Sequence, residues 1–150
     1  MGTNRWNTIQ RLLVVTTFSS LDELIAWRTS LKEIGLNINE CTIVSEVGSK
    51  KDKAVLQEMG SVVLACPGDI GFLGKIKAED LNRVVNTKYD ALLKIGPNSS
   101  KLNKAFKKMK FNQTIGINTD SSEFDIELTT VHTRPQHIVN FVRNTLEKIT

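Results

Sequence analysis

Between residues 67 and 77 the chain reads Pro67-Gly68-Asp69-Ile70-Gly71-Phe72-Leu73-Gly74-Lys75-Ile76-Lys77. Three glycines there permit backbone angles, or a close approach to a ligand, that other residues resist. Asp69 can accept a hydrogen bond or act as a base. Phe72 can stack on a ring, and Lys75 and Lys77 can meet a phosphate or a carboxylate. The other reading is a long connection whose Phe72 and Leu73 pack back onto the core. Both stand at this level, although long loops at the working edge of a sheet are enriched in function.

Two further segments pair hydroxyls with a helix start. Thr16-Thr17-Phe18-Ser19-Ser20 and Gly96-Pro97-Asn98-Ser99-Ser100 each precede an amphipathic stretch. Free amides and the helix dipole at such a place can hold a phosphate. The simpler reading is that Ser19 or Ser20, and Asn98 or Ser99, only cap their helices. Neither Gly-x-x-x-x-Gly-Lys-[Ser/Thr] nor Gly-x-Gly-x-x-Gly is present, so no phosphate-loop or dinucleotide fingerprint exists.

Other chemistry is thinly supplied. Cys66 and His132 make a nucleophile pair only if the fold brings them within hydrogen-bond reach. His132 and His137 are not at helical i, i+4 spacing, and no acidic residue completes a metal set. Five lysines between Lys101 and Lys110 can touch phosphates of RNA or lipid. They read more simply as the solvated side of a helix whose core face is Leu102, Ala105, Phe106 and Met109. No aromatics interleave them to stack bases, which argues against nucleic acid.

Composition sets the frame for these groups. The 150 residues carry 20 Lys and Arg against 16 Asp and Glu, a net charge of +4, with 40% apolar side chains. One ordinary domain is expected over residues 10–150, with residues 1–9 as a loose N-terminal arm. A charge of +4 is weak support for an anionic partner. No apolar run approaches the ~20 residues that span a bilayer, so no membrane insertion is expected. Leu12-Leu13-Val14-Val15 is too short for a signal peptide, and two cysteines build no disulfide framework, so a cytoplasmic setting is the expectation.

The elements that position the groups alternate along the chain. Apolar runs predict strands at 10–17, 41–47, 61–66, 91–95 and 114–118. Phe124, Ile126 and Leu128 alternate with polar residues and predict a sixth, half-wet strand near a sheet edge. Amphipathic stretches predict helices from Ser20 to Gly35, over 51–59 and 78–86, after Ser99, and from Pro135 onward. This pattern predicts an α/β three-layer sandwich on a mostly parallel sheet of five to six strands, flavodoxin-like or Rossmann-like. Ligands of such sheets sit beyond the carboxyl ends of the strands.

The stretch from Asp69 to Leu93 resembles a family of small Bacteroidetes proteins with no assigned function. Their usual pattern is Asp-Leu-Asn-Trp-Phe-Gly-Lys-Pro-Lys, an amphipathic helix, then Phe-Asp-Leu-Leu-Ile. Asp69, Phe72, Gly74, Lys75 and Lys77 match it, followed by Tyr89-Asp90-Ala91-Leu92-Leu93. Ile70, Gly71 and Ile76 depart from it, and Phe72 replaces Trp. The resemblance implies a cytoplasmic α/β protein and supplies no reaction and no cofactor.

Two functions follow as expectations. The first is a small anionic ligand, such as a nucleotide or phospho-sugar, held by Ser19, Ser20, Asp69, Phe72, Gly74, Lys75, Lys77 and Ser99. Its sharpest form is a flavin site, which the positive charge and the lack of an aromatic at 96–100 disfavour. The second is a non-catalytic interaction module working through helix 101–110 or the edge strand, with a homodimer as one form. Acid–base catalysis through Asp69 and a lysine ranks third, because no second catalytic group can be named.

Overall fold

Leu12 and Val14 pack on one side of a sheet, and Leu13 and Val15 on the other. A strand buried on both faces has no polar alternation, which is why 12–15 read as an unbroken apolar run. The computed structural model describes residues 4–54, 59–119 and 123–150. Its six strands are β1 (Leu12–Thr17), β2 (Thr42–Glu46), β3 (Val62–Ala65), β4 (Ala91–Ile95), β5 (Gln113–Ile117) and β6 (Ile126–Leu128). All adjacent pairs run parallel, in the order β3-β2-β1-β4-β5-β6. That is the Rossmann-type doubly wound order. The flavodoxin-type order, 2-1-3-4-5, is not the one adopted.

Helices cover both faces. α1 (Leu21–Glu33) and α5 (Pro135–Glu147) pack Leu24, Trp27, Leu31, Ile138, Val142 and Leu146 on one. α3 (Glu79–Val85) and α4 (Ser100–Lys107) pack Leu81, Val84, Leu102 and Phe106 on the other. α2 (Lys50–Ala54) follows β2. The sequence predicts it over 51–59, of which 55–58 lie outside the described residues. Within the described part of the N-terminal segment, residues 5–9 contact the body of the domain. Arg5 N–H donates to Ile149 O at 2.8 Å, Gln113 Nε2 donates to Arg5 O, and Ile9 is buried.

The sixth strand is shorter than its alternation suggests. Thr114 N–H donates to Asp125 Oδ2, and Asp125 N–H donates to Thr114 Oγ1, so side chains take the bonds that would lengthen the ladder. Only residues 118–125 join β5 to β6. A parallel crossover ordinarily needs a dozen or more residues and a helix. Phe124 and the β6 residue Glu127 pack directly on β5: a Cβ on Gly116 would fall 2.6 Å from Glu127 Oε2 and 2.8 Å from Phe124 Cδ2.

Candidate functional site

The strand order reverses between β1 and β4, and their carboxyl ends frame the place where such sheets bind ligands. Here the protein's own groups occupy it. Ser99 caps α4, and its backbone N–H donates to Glu46 Oε1 at 2.8 Å. Asn98 Nδ2 donates to the same oxygen at 3.2 Å and also reaches Thr17 Oγ1. Thr17 Oγ1 in turn donates to Pro97 O. Glu46 is 8% exposed, so a buried carboxylate stands where the α4 dipole would favour an anion.

The start of α1 is similar. Ser20 accepts the Glu23 N–H at 3.1 Å, and Ser19 Oγ donates to the Glu23 carboxylate. Asp22 and Glu23 both lie in the first turn. These carboxylates stabilise the helix and repel an incoming phosphate. Ser20 and Ser99 thus cap their helices beside acidic side chains, and Ser19 bonds a first-turn carboxylate.

The 67–77 segment starts from a buried anchor. Asp69 is 5% exposed, and its Oδ2 accepts the Cys66 N–H at 3.0 Å and the Lys53 ammonium at 2.9 Å. Burial alone would raise its pKa. The Cys66 amide and Lys53 outweigh burial and hold the carboxyl below its ordinary value. A carboxylate so held is a structural anion rather than a base poised near neutrality. Burial, then the Asp69 charge, pushes the Cys66 thiol up, away from the reactive thiolate. Burial likewise raises Cys41.

Beyond the anchor the chain turns outward. Ile70 bridges Ile76, Lys77 N–H donates to Asp69 O at 2.7 Å, and Gly71 N–H donates to Lys75 O at 2.6 Å. At the tip, Leu73 has φ +69° and Gly74 φ +82°. Phe72 is 90% exposed and Leu73 87% exposed. The reading in which these two pack back onto the core is overturned: the bridge turns the tip away from the sheet. A left-handed leucine costs about 1–2 kcal/mol.

The tip stands beside α4. Lys101 Nζ donates to Ile70 O at 3.4 Å, and Lys108 Nζ lies 3.7 Å from where a Gly74 Cβ would be. Phe72, Leu73, Lys101, Lys104, Lys107 and Lys108 share one open groove of about 950 Å³. Lys75 and Lys77 are exposed on the same loop. Phe72 and Gly74 of the expected site are therefore brought together with the α4 lysines. Ser19, Ser20, Ser99 and buried Asp69 are not part of this groove.

The remaining candidates disperse. Cys66 follows β3 and His132 follows β6, at opposite ends of a six-stranded sheet. Strands lie about 4.8 Å apart, so the two are some 20 Å or more from each other. His132 and His137 do meet, with ring centroids 5.4 Å apart. Among the described residues no group of three metal-ligating side chains forms. The edge strand β6 offers three residues and a central glutamate, two features that blunt edge pairing.

Sequence reasoning missed Glu46, Leu73 and Lys94. Lys94 of β4 is half-buried under α4 and donates to Asn103 Oδ1. Burial lowers its pKa, against the pull of Glu123 and Glu46. A charged residue inside or at the end of an apolar strand was the available signal for Glu46 and Lys94. Nothing local marks Leu73.

Among the described residues no helix is long and apolar enough to cross a membrane. No curated protein matches the chain. A family model matches residues 2–149, nearly the whole sequence, and the chain belongs to that family, the family of unknown function DUF6913.

Proposed function

We propose that this protein is a non-catalytic docking module whose working surface is the Phe72-Leu73 tip with the lysine face of α4. The observation that carries the reading is the pair itself. Two large apolar side chains are held almost fully exposed, one at a left-handed backbone position. Each would gain about 1.5–3 kcal/mol on burial, so an uncovered pair is a poor choice for a mere connection.

The small-anion reading has less support. Helix starts at the carboxyl edge of the sheet carry carboxylates, and the expected ligands of that site lie on separate surfaces. The homodimer through β6 is equally short of support, for the reasons given by its length and charge.

The test is size-exclusion of native host extract at low and high salt. The intact chain should elute well above the 16.8 kDa of a monomer at low salt. A Phe72→Ser/Leu73→Ser variant should elute as a folded monomer. Elution of the intact chain at monomer size in both buffers rejects the reading.

A further inference from the structure

Resting on that reading, we infer that the surface docks onto an anionic lipid bilayer, peripherally, with Phe72 and Leu73 entering the headgroup boundary and the surrounding lysines lying on it.

Charge distribution carries the choice of occupant. Segments 70–78 and 97–119 hold seven lysines, no arginine and no acidic residue. The rest of the chain then holds 13 basic against 16 acidic residues, so the positive charge of the whole molecule comes from this one region. The groove brings four of these lysines, Lys101, Lys104, Lys107 and Lys108, together with the tip. Among the described residues Lys107 of α4 forms an ion pair with Glu123 at 3.1 Å, and both partners are more than half exposed.

Several features separate a lipid surface from a folded protein partner. Protein interfaces are enriched in arginine and depleted in lysine, because the guanidinium fork fixes geometry. This surface has the opposite composition. Its lysines are flexible point charges, suited to a dense and laterally fluid anion layer. Its apolar part is a protruding tip rather than a flat patch, as insertion between headgroups requires. The first turn of α4 contains Lys101 and no acidic residue, which works against the helix dipole. Lys104 and Lys107 in the last turn suit the dipole and Lys101 does not, so helix stability explains only part of this charge. Phe106, the aromatic among the α4 lysines, is buried, which leaves Phe72 as a single stacking group where a nucleic-acid surface uses a series.

The test is co-sedimentation of the full chain with vesicles of phosphatidylcholine alone, and of phosphatidylcholine mixed with phosphatidylglycerol. Binding to the mixed vesicles should exceed binding to the neutral ones at least tenfold, and should fall with added salt. Phe72→Ser/Leu73→Ser should lose at least tenfold. Lys104→Gln and Lys108→Gln should each lose about fivefold. Phe72→Trp should show a blue-shifted emission on mixed vesicles only. Equal binding to both vesicles, no binding, or binding indifferent to the tip overturns the inference. If vesicles fail while the extract elution still depends on the tip, the partner is a protein, or a nucleic acid where nuclease removes the shift. That outcome sinks the bilayer alone. If the elution dependence fails too, the docking reading falls with it.

Discussion

The Ser99 N–H and the Glu46 carboxylate, 53 positions apart in sequence, meet at 2.8 Å across the switch point of the sheet. In doubly wound folds that point receives the anionic part of a ligand. Here a side chain of β2 supplies the anion, and the loop after β4 closes over it. The second Glu46 oxygen is buried and has no hydrogen-bond partner among the described residues.

Glu46→Ala should therefore destabilise the fold by about 1–3 kcal/mol, since the α4 start loses its acceptor. For a chain of this size that lowers Tm by about 2–4 °C per kcal/mol. Inorganic phosphate should leave the wild-type Tm unmoved relative to chloride of equal ionic strength, and should raise that of the variant. A phosphate-dependent rise in the wild type would show that the switch point is open after all.

Asp69→Asn removes the charge opposite Lys53 and should cost about 1–3 kcal/mol at neutral pH. The folded-state pKa lies below the ordinary 3.8, so the stabilisation is full above 3.8 and is lost as pH falls from there through the folded-state pKa. Urea melts of wild type and variant should converge on acidification below about pH 4. A gap that stays constant to lower pH contradicts the ionised pair.

Leu73→Gly and Leu73→Ala should reverse the usual order of stability. Glycine relieves the left-handed strain, whereas alanine keeps it, so glycine should be the more stable by about 1 kcal/mol. Chemical denaturation of the two variants decides it. Equal or inverted midpoints would mean the tip is not held at φ +69°. Both variants should lose the docking that the tip supports.

Gly116→Ala forces Phe124 and Glu127 off β5 and should cost about 1–3 kcal/mol. Amide exchange should quicken first in β6. Unchanged protection there would separate the connection from the strand's stability.

Strand and helix alternation was open to reading because burial on two faces and amphipathic faces are local patterns. Leu12-Leu13-Val14-Val15 and the Leu102, Ala105, Phe106 spacing each declared their element. The strand order was not open in this way, because it depends on which crossovers pass over which face. Glu46 and Ser99 meet only once that order exists, so the filled switch point had no sequence signature. Asp69 looked chemical in isolation and proves to be an anchor, because its partner Lys53 comes from a separate helix. Phe72 was legible as unusual, but its exposure depends on the Ile70–Ile76 bridge that lifts the tip. The basic face of α4 read as a solvated side, and only the fold sets it beside that tip.

Cys41 and Cys66 are both free and buried, and both thiols are pushed toward the unreactive form. Cys41 lies in the core under α1 and α5, while Cys66 lies where β3 meets the Asp69 anchor. A thiol reagent can reach either one only after its surroundings open. The molecule thus carries two internal clocks. One times the breathing of the α1–α5 layer, and the other times release of the loop that bears the exposed tip.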